Sequence, residues 1–330
     1  MSEPEGLAEG LAKGLAQGLV VAAHGRHFLV ESPDGQRRIC HPRGKKSESV
    51  VGDRVLWQAA GDEGAIEQTL PRRNLLYRQD RLRTKSFAAN LDQVLILLGA
   101  DPPHSDHQLA RALIAAEAAG IAPLIALNKI DLAAPFARGW QRLAPYRRMG
   151  YPVLALSLKP NAAAKVPPTP AAGAPAAADG LAELRERLAG RTTLLLGPSG
   201  AGKSTLINTV VPGAAALTGE ISRALGAGRH TTTSTRWYWV DTMRTTALID
   251  SPGFQEFGLH HVAPMQLAVL MPDVKPWAAQ CRFYNCTHLH EPGCAVISAI
   301  ESGQIEGGIS AVRYKIYSEL FAELSAPKFG

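Results

Sequence analysis

Residues 192–205 read TTLLLGPSGAGKST. Five uncharged residues, suited to a buried strand, run into a glycine-rich turn, and the turn opens onto KSTLINTV, which reads as the start of a helix. The turn fits G-x-x-x-x-G-K-[ST] in the strand–loop–helix setting that gives this pattern its meaning. Gly197, Gly200 and Gly202 let the backbone curl so that its N–H groups face phosphate oxygens. Lys203 brings a positive charge to the β- and γ-phosphates, Ser204 offers a hydroxyl to Mg²⁺, and the helix N-terminus adds a favourable partial charge. A strand that delivers such a loop predicts an α/β domain around it.

Reading outward, TTALIDSPG (245–253) ends a second strand at Asp250, placed to hold Mg²⁺ through water, with the Gly253 N–H placed to touch the γ-phosphate. Upstream, the apolar run in LIALNKIDL (124–132) stops at Asn-Lys-x-Asp. Asn128 can hydrogen-bond the guanine edge, the stem of Lys129 can lie along the base, and the Asp131 carboxylate can accept from two guanine N–H donors. Adenine does not offer that pattern, so discrimination should be large, and an ATPase or P-loop kinase is disfavoured. Ser157, after the strand text YPVLAL, fits a loop covering the base, although the neighbouring Leu158 is larger than usual there. The pieces of a GTPase are therefore present in rotated order: base loops first, then the phosphate loop, then the two switches. Rotation preserves the site if the original termini lie close enough to join. The Pro- and Ala-rich stretch 159–180 lies where that join would be, and reads as a flexible insertion.

The alternation of buried-strand text (LDQVLILLGA, 91–100; IAPLIAL, 121–127) with helical text (SDHQLARALIAAEAAG; Trp140 to Arg148; LAELRERLAG) supports an α/β domain over 86–260. Ahead of it, 19–85 is broken into short β-like runs, predicting a small β-barrel of OB type with many cations, Arg26, Arg38, Arg54 and Arg81 among them. A nucleic-acid-binding face and a solvated basic surface are both consistent with that charge. Cys40 reads as a small buried hydrophobe on a strand. Residues 1–18, with a repeated Gly-Leu-Ala unit, read as a flexible tail. The net charge of +6 leans toward an anionic partner. No apolar run of about 18 residues suggests a membrane span, and the acidic, Gly-rich start does not resemble a secretory signal. A soluble cytoplasmic monomer is the expectation.

Three of the four cysteines fall in CRFYNCTHLHEPGC (281–294). Three thiolates and one imidazole satisfy a closed tetrahedral Zn²⁺ site. Cys281, Cys286 and Cys294 are the thiols; spacing alone leaves His288 and His290 as rival fourth ligands. Helical text follows, so 261–330 reads as a zinc-stapled helical domain. Arg282, Phe283 and Tyr284 could touch RNA or simply pack.

The combination of basic barrel, LNKID, GPSGAGKST, GRHTTT (228–233), DSPG and Cys/His cluster, in that order, resembles the circularly permuted GTPases. More narrowly, it resembles the bacterial small-subunit-dependent GTPase A (RsgA) family, from about Gly18 onward. The resemblance implies a GTP hydrolase that acts as a switch in late assembly of the small ribosomal subunit and binds rRNA through the barrel and zinc domains. It implies GTP contacts from Asn128, Lys129, Ile130, Asp131 and Ser157, from Gly197, Pro198, Ser199, Gly200, Ala201, Gly202, Lys203, Ser204 and Thr205, and from Thr232, Asp250 and Gly253. GRHTTT becomes the first switch, with Thr232 joining Ser204 on Mg²⁺ and His230 orienting the attacking water. Phe254 stands where many GTPases carry a glutamine, and a phenyl ring cannot position water. The family pattern C-x4-C-x-H-x5-C selects His288 as the zinc ligand. The expected partners are the small subunit and its rRNA, GTP and GDP. An RNA-binding zinc protein with a vestigial GTPase is the alternative, against which the intact Lys203, Ser204 and Asp250 argue.

Overall fold

Alternating apolar text between residues 16 and 69 folds as β1 (Ala16–His24), β2 (His27–Glu31), β3 (Arg37–Pro42), β4 (Arg54–Ala60) and β5 (Glu63–Thr69). They pair in the cycle β1–β2–β3–β5–β4–β1, with β3 and β5 parallel and the other pairs antiparallel. This closed five-stranded barrel is the OB-type arrangement expected from the sequence. Its inward residues include Val20, Val30, Val55 and Cys40, all fully buried. The structure is a computed structural model and describes residues 14–44, 49–159, 180–215, 217, 235–252, 254, 257–302 and 309–327. Of the tail expected over 1–18, Ala16–Gly18 instead belong to β1 and pair with β4, because their backbone completes the barrel; residues 1–13 of that tail, and 160–179 of the insertion expected over 159–180, lie outside the described residues.

The barrel ends at Thr69, and the β-like text beyond it makes a separate antiparallel hairpin, β6 (Leu75–Gln79) with β7 (Thr84–Ala89). A central sheet follows. β8 (Gln93–Gly99) is buried along its whole length, as a strand covered on both faces must be. α1 (Asp106–Ala118) is capped by Ser105, whose side chain accepts from the Gln108 N–H. β9 (Ala122–Asn128) comes next. The helical text expected around Trp140–Arg148 is two helices, α2 (Ala133–Arg142) and α3 (Ala144–Arg148). Pro145 explains the break, because proline fits the first turn of a helix and not its interior. β10 is short (Val153–Ala155), and α4 (Gly180–Leu188), β11 (Thr192–Leu196), α5 (Lys203–Val210), β12 (Arg236–Trp239) and β13 (Ala247–Asp250) complete the unit.

The strands lie in the order β10–β9–β8–β11–β13–β12. The first five are parallel, so their C-terminal ends, carrying Asn128, Gly197 and Asp250, face one edge. β12 runs antiparallel to β13 and also pairs with β1 at Ala22–Arg236, which makes barrel and central unit parts of one eleven-stranded sheet. After residue 260 come α6 (Lys275–Ala278), α7 (Ala295–Glu301) and α8 (Ala311–Ser325). α8 buries Ile316, Tyr317 and Leu320 in the same apolar cluster as Leu109 and Tyr146 of the central unit. A buried ion pair, Arg313 with Asp273 (two contacts of 2.9 Å), sits beneath this junction, and the guanidinium lies over the Tyr146 ring. Among the described residues no helix is long and apolar enough to cross a membrane.

Candidate functional site

A cleft of about 740 Å³ opens at the C-terminal edge of the parallel strands. One end is lined by Asn128, Lys129, Asp131 and Leu158, the other by Gly197, Ser199, Gly200, Lys203, Ser204, Thr205 and Asp250, with Gly202 between them. Segments about seventy residues apart in sequence thus share one cavity. The link is direct: Asn128 Nδ2 donates to Ala201 O at 2.9 Å, and the Leu158 N–H donates to Asn128 Oδ1 at 3.3 Å. The contact is close enough that a Cβ on Gly202 would stand 2.5 Å from Asn128 Nδ2, and Gly202 has φ of 107°, in the left-handed region. Glycine is required there on both counts. At Gly197 a Cβ would meet Leu97 O at 2.2 Å, so only glycine lets the loop rise past β8.

At the base end, Lys129 also adopts a left-handed conformation (φ 73°) and its Nζ donates to Asp101 O. Ile130 is buried, and its N–H donates to Leu156 O at 3.2 Å. Asp131 Oδ2 accepts from Lys159 Nζ at 2.9 Å, while Oδ1 is buried with no partner among the described residues. The Ser157 hydroxyl is likewise buried and unpartnered. An acceptor left bare in a protein interior is costly, and a base with N–H donors would satisfy it.

At the phosphate end, Lys203 Nζ donates to Gly197 O at 2.6 Å and Pro198 O at 3.0 Å, so the ammonium folds back onto the loop that surrounds it. Burial lowers the Lys203 pKa, partly offset by the Asp250 carboxylate. Burial raises the Asp250 pKa, offset by Lys203 and Arg236. Burial thus disfavours the charged form of each group while each partly offsets the cost for the other, a cost that an incoming phosphate and Mg²⁺ would relieve. Phe254 is buried and lines this end. His230, Thr232 and Gly253 lie outside the described residues. Two lining residues escaped the sequence reading. Lys159 directly follows the base loop, and Arg236 opens the strand that pairs with the one ending at Asp250; the RWYW text after the threonine run was the available signal for the second.

Some distance along the chain, Cys281, Cys286, His288 and Cys294 bring their ligand atoms within 4.8 Å of one another. Thiolates about 2.3 Å from a tetrahedral zinc ion lie about 3.8 Å apart. Cys281 Sγ to Cys294 Sγ is 3.8 Å, and His288 Nδ1 lies 3.4 Å and 3.6 Å from the two sulfurs. The donor set and its spacing fit one such ion. His290, the rival ligand, is exposed and not in the cluster. His288 has a left-handed backbone (φ 61°), and the hydroxyls of Tyr314 and Tyr317 donate to the His288 and Thr287 carbonyls at 2.9 Å, so α8 braces the ligand loop.

A model of the RsgA GTPase family matches residues 69–260. The small ribosomal subunit biogenesis GTPase RsgA of Variovorax paradoxus is 66% identical over 311 residues, covering 94% of this chain and 93% of the relative. The protein of the same name from Burkholderia pseudomallei strain K96243 is 51% identical over 308 residues, covering 93% and 91%. Among solved structures, YjeQ from Thermotoga maritima superposes with a TM-score of 0.67 at 28% identity, covering 95% of this chain and 99% of that one. YloQ, described as a circularly permuted GTPase, superposes with a TM-score of 0.64 at 26% identity, covering 95% and 96%.

Proposed function

Because the chain belongs to the RsgA GTPase family, we propose that it hydrolyses GTP as a switch in late assembly of the small ribosomal subunit. The observation that carries this reading is the shared cleft: Asn128 and Asp131 line it together with Lys203 and Asp250, and Asp131 keeps a buried, unpartnered carboxylate oxygen. Guanine fits the Asn128–Asp131 end. Ile130 and Ser157 support the base loop, and residues 197–205 surround the phosphates. Ser204 and Thr232 would hold Mg²⁺, Asp250 would stand behind it, and Gly253 would sense the γ-phosphate. His230 orients the attacking water, since Phe254 offers no hydrogen bond. Bound Mg²⁺ would supply charge neutralisation at the β- and γ-oxygens. The chain's own part is to bind the base, wrap the phosphates and exclude bulk water.

One Zn²⁺ at Cys281, Cys286, His288 and Cys294 is structural, since four protein donors leave no open position. The N-terminal domain (19–85), whose barrel strands run from Ala16 to Thr69, and the zinc domain (261–330) grip rRNA, with the GTPase domain (86–260) between them in the chain, in a monomer working in the cytoplasm. The small subunit stimulates turnover by ordering the first switch. The test is GTP turnover by the purified chain with and without small subunits. A rise of at least about tenfold on adding subunits is expected, by analogy with partner-assisted GTPases; an unchanged rate would remove the ribosomal part of the reading. ATP should compete for the cleft only at far higher concentration than GTP.

A further inference from the structure

A second cleft, of about 490 Å³, lies where the barrel meets β12. Nothing in the GTP site or the Cys/His cluster uses it. Its aromatic wall is Trp237 and Trp239, two residues apart on one strand and therefore on one face of it. Their rings stand 5.1 Å apart at 71°, forming a corner. Trp239 is pinned: its indole N–H donates to Glu31 Oε1 at 2.7 Å. Glu31, only 5% exposed, also accepts from Arg37 Nε at 2.7 Å and has Arg244 at 3.7 Å, so its charge is neutralised. Trp237 is also 5% exposed, and its indole N–H has no acceptor among the described residues. Arg54 and Arg244 complete the lining with two guanidinium groups.

These features point to one class of ligand. A rigid aromatic corner receives a flat heterocycle, and guanidinium groups receive the phosphate attached to it. The volume lies in the range of small-ligand sites, which suits a single nucleotide and not a duplex. Arg54 is exposed and continues the basic surface of the barrel, a charge footprint suited to a polymer.

We propose that this junction cleft captures one unpaired nucleotide of an RNA strand, with its base in the Trp237–Trp239 corner and its phosphate between Arg54 and Arg244. The proposal extends the RNA-binding part of the function above and rests on that reading only for where the RNA comes from.

The test uses the full chain loaded with GDP and a single-stranded uridine hexamer. Binding should quench tryptophan fluorescence, and a 4-thiouridine hexamer should cross-link to Trp237 or Trp239. Arg54→Ala should lower affinity about tenfold at low salt and reduce the salt slope by about 0.7, the value for one phosphate contact on a single strand. Trp239→Leu should lower affinity about tenfold or more, as loss of a stacked base does, while its circular dichroism stays native. Cross-links confined to other segments, or hexamer affinity unchanged in Arg54→Ala together with unquenched tryptophan, would overturn the proposal. Equal quenching by free uridine monophosphate at the same concentration would also overturn it, since the cleft would then serve a free nucleotide. GTP turnover with and without small subunits, measured on the unaltered chain beside the cross-linking, separates the two readings: normal stimulation without cross-links at Trp237 or Trp239 sinks the cleft alone, and those cross-links without any stimulation sink the switch alone.

Discussion

Asp131 carries one carboxylate oxygen bound to Lys159 and one with no partner among the described residues. In the proposed reading that asymmetry would set the base preference. A carboxylate can accept two N–H donors, whereas an amide offers one acceptor and one donor. Asp131→Asn should therefore weaken GTP binding on the order of a hundredfold and favour xanthosine triphosphate, which has a carbonyl where guanine has an amino group. Competition between the two nucleotides measures the change; an unaltered preference would place the base elsewhere. Asp250 makes a different prediction. Burial raises its pKa above the unfolded value, so the folded chain binds the extra proton more readily. Stability then falls as pH rises from the unfolded pKa through the raised one, and the cost is fully present only above the raised pKa. Asp250→Asn should raise the melting temperature of the nucleotide-free protein at neutral pH. The gain should vanish below about pH 4, where the aspartate is protonated in both states. The same substitution should lower Mg²⁺-dependent turnover by about a hundredfold or more. At this scale the sequence was most legible: LNKID and GPSGAGKST name their own chemistry. Lys159 and Arg236 were harder to read, because their places in the cleft depend on which segments lie side by side; only the RWYW text pointed toward the second.

Among the elements, the junction of the phosphate loop with α5 is the most constrained. Gly202 begins that helix with a left-handed backbone and touches the Asn128 amide. Gly202→Ala should cost roughly 1–3 kcal/mol, the usual cost of a non-glycine residue held in such a conformation, and should weaken nucleotide binding by displacing Asn128. Denaturant titration and a nucleotide affinity measurement check both effects; a variant with wild-type stability and affinity would contradict the packing described. β8 was readable from LDQVLILLGA because burial on both faces leaves a continuous apolar run. The β6–β7 hairpin was harder, since alternating text looks alike whether a strand closes a barrel or pairs outside it. The break between α2 and α3 was written in Pro145, a local signal that the helical periodicity around it obscured.

Across the whole molecule, the C-terminal helices are held by contacts that sequence cannot reveal. Arg313 pairs with Asp273 across forty residues, and Arg111 with Glu323 across 212. Breaking the first by Arg313→Met should destabilise the chain by about 3–5 kcal/mol, because a buried carboxylate is left alone. Adding Asp273→Leu should recover much of that loss. Thermal melts of the single and double variants measure both, and equal melting of the two would show that the pairing carries no weight. Chelating the Zn²⁺ proposed for Cys281, Cys286, His288 and Cys294 should loosen the ligand loop and change the fluorescence of Trp277, whose carbonyl lies beside Cys281. The barrel and the nucleotide-binding unit also share one hydrogen-bonded ladder through Ala22 and Arg236, and β12 carries Arg236 directly into the GTP cleft. A load on the barrel should therefore reach Arg236 through this one bridged pair. Amide exchange at residues 236–239 should slow when an antibody fragment clamps the barrel alone; exchange that ignored the clamp would mean that the two parts, though stitched, do not move together.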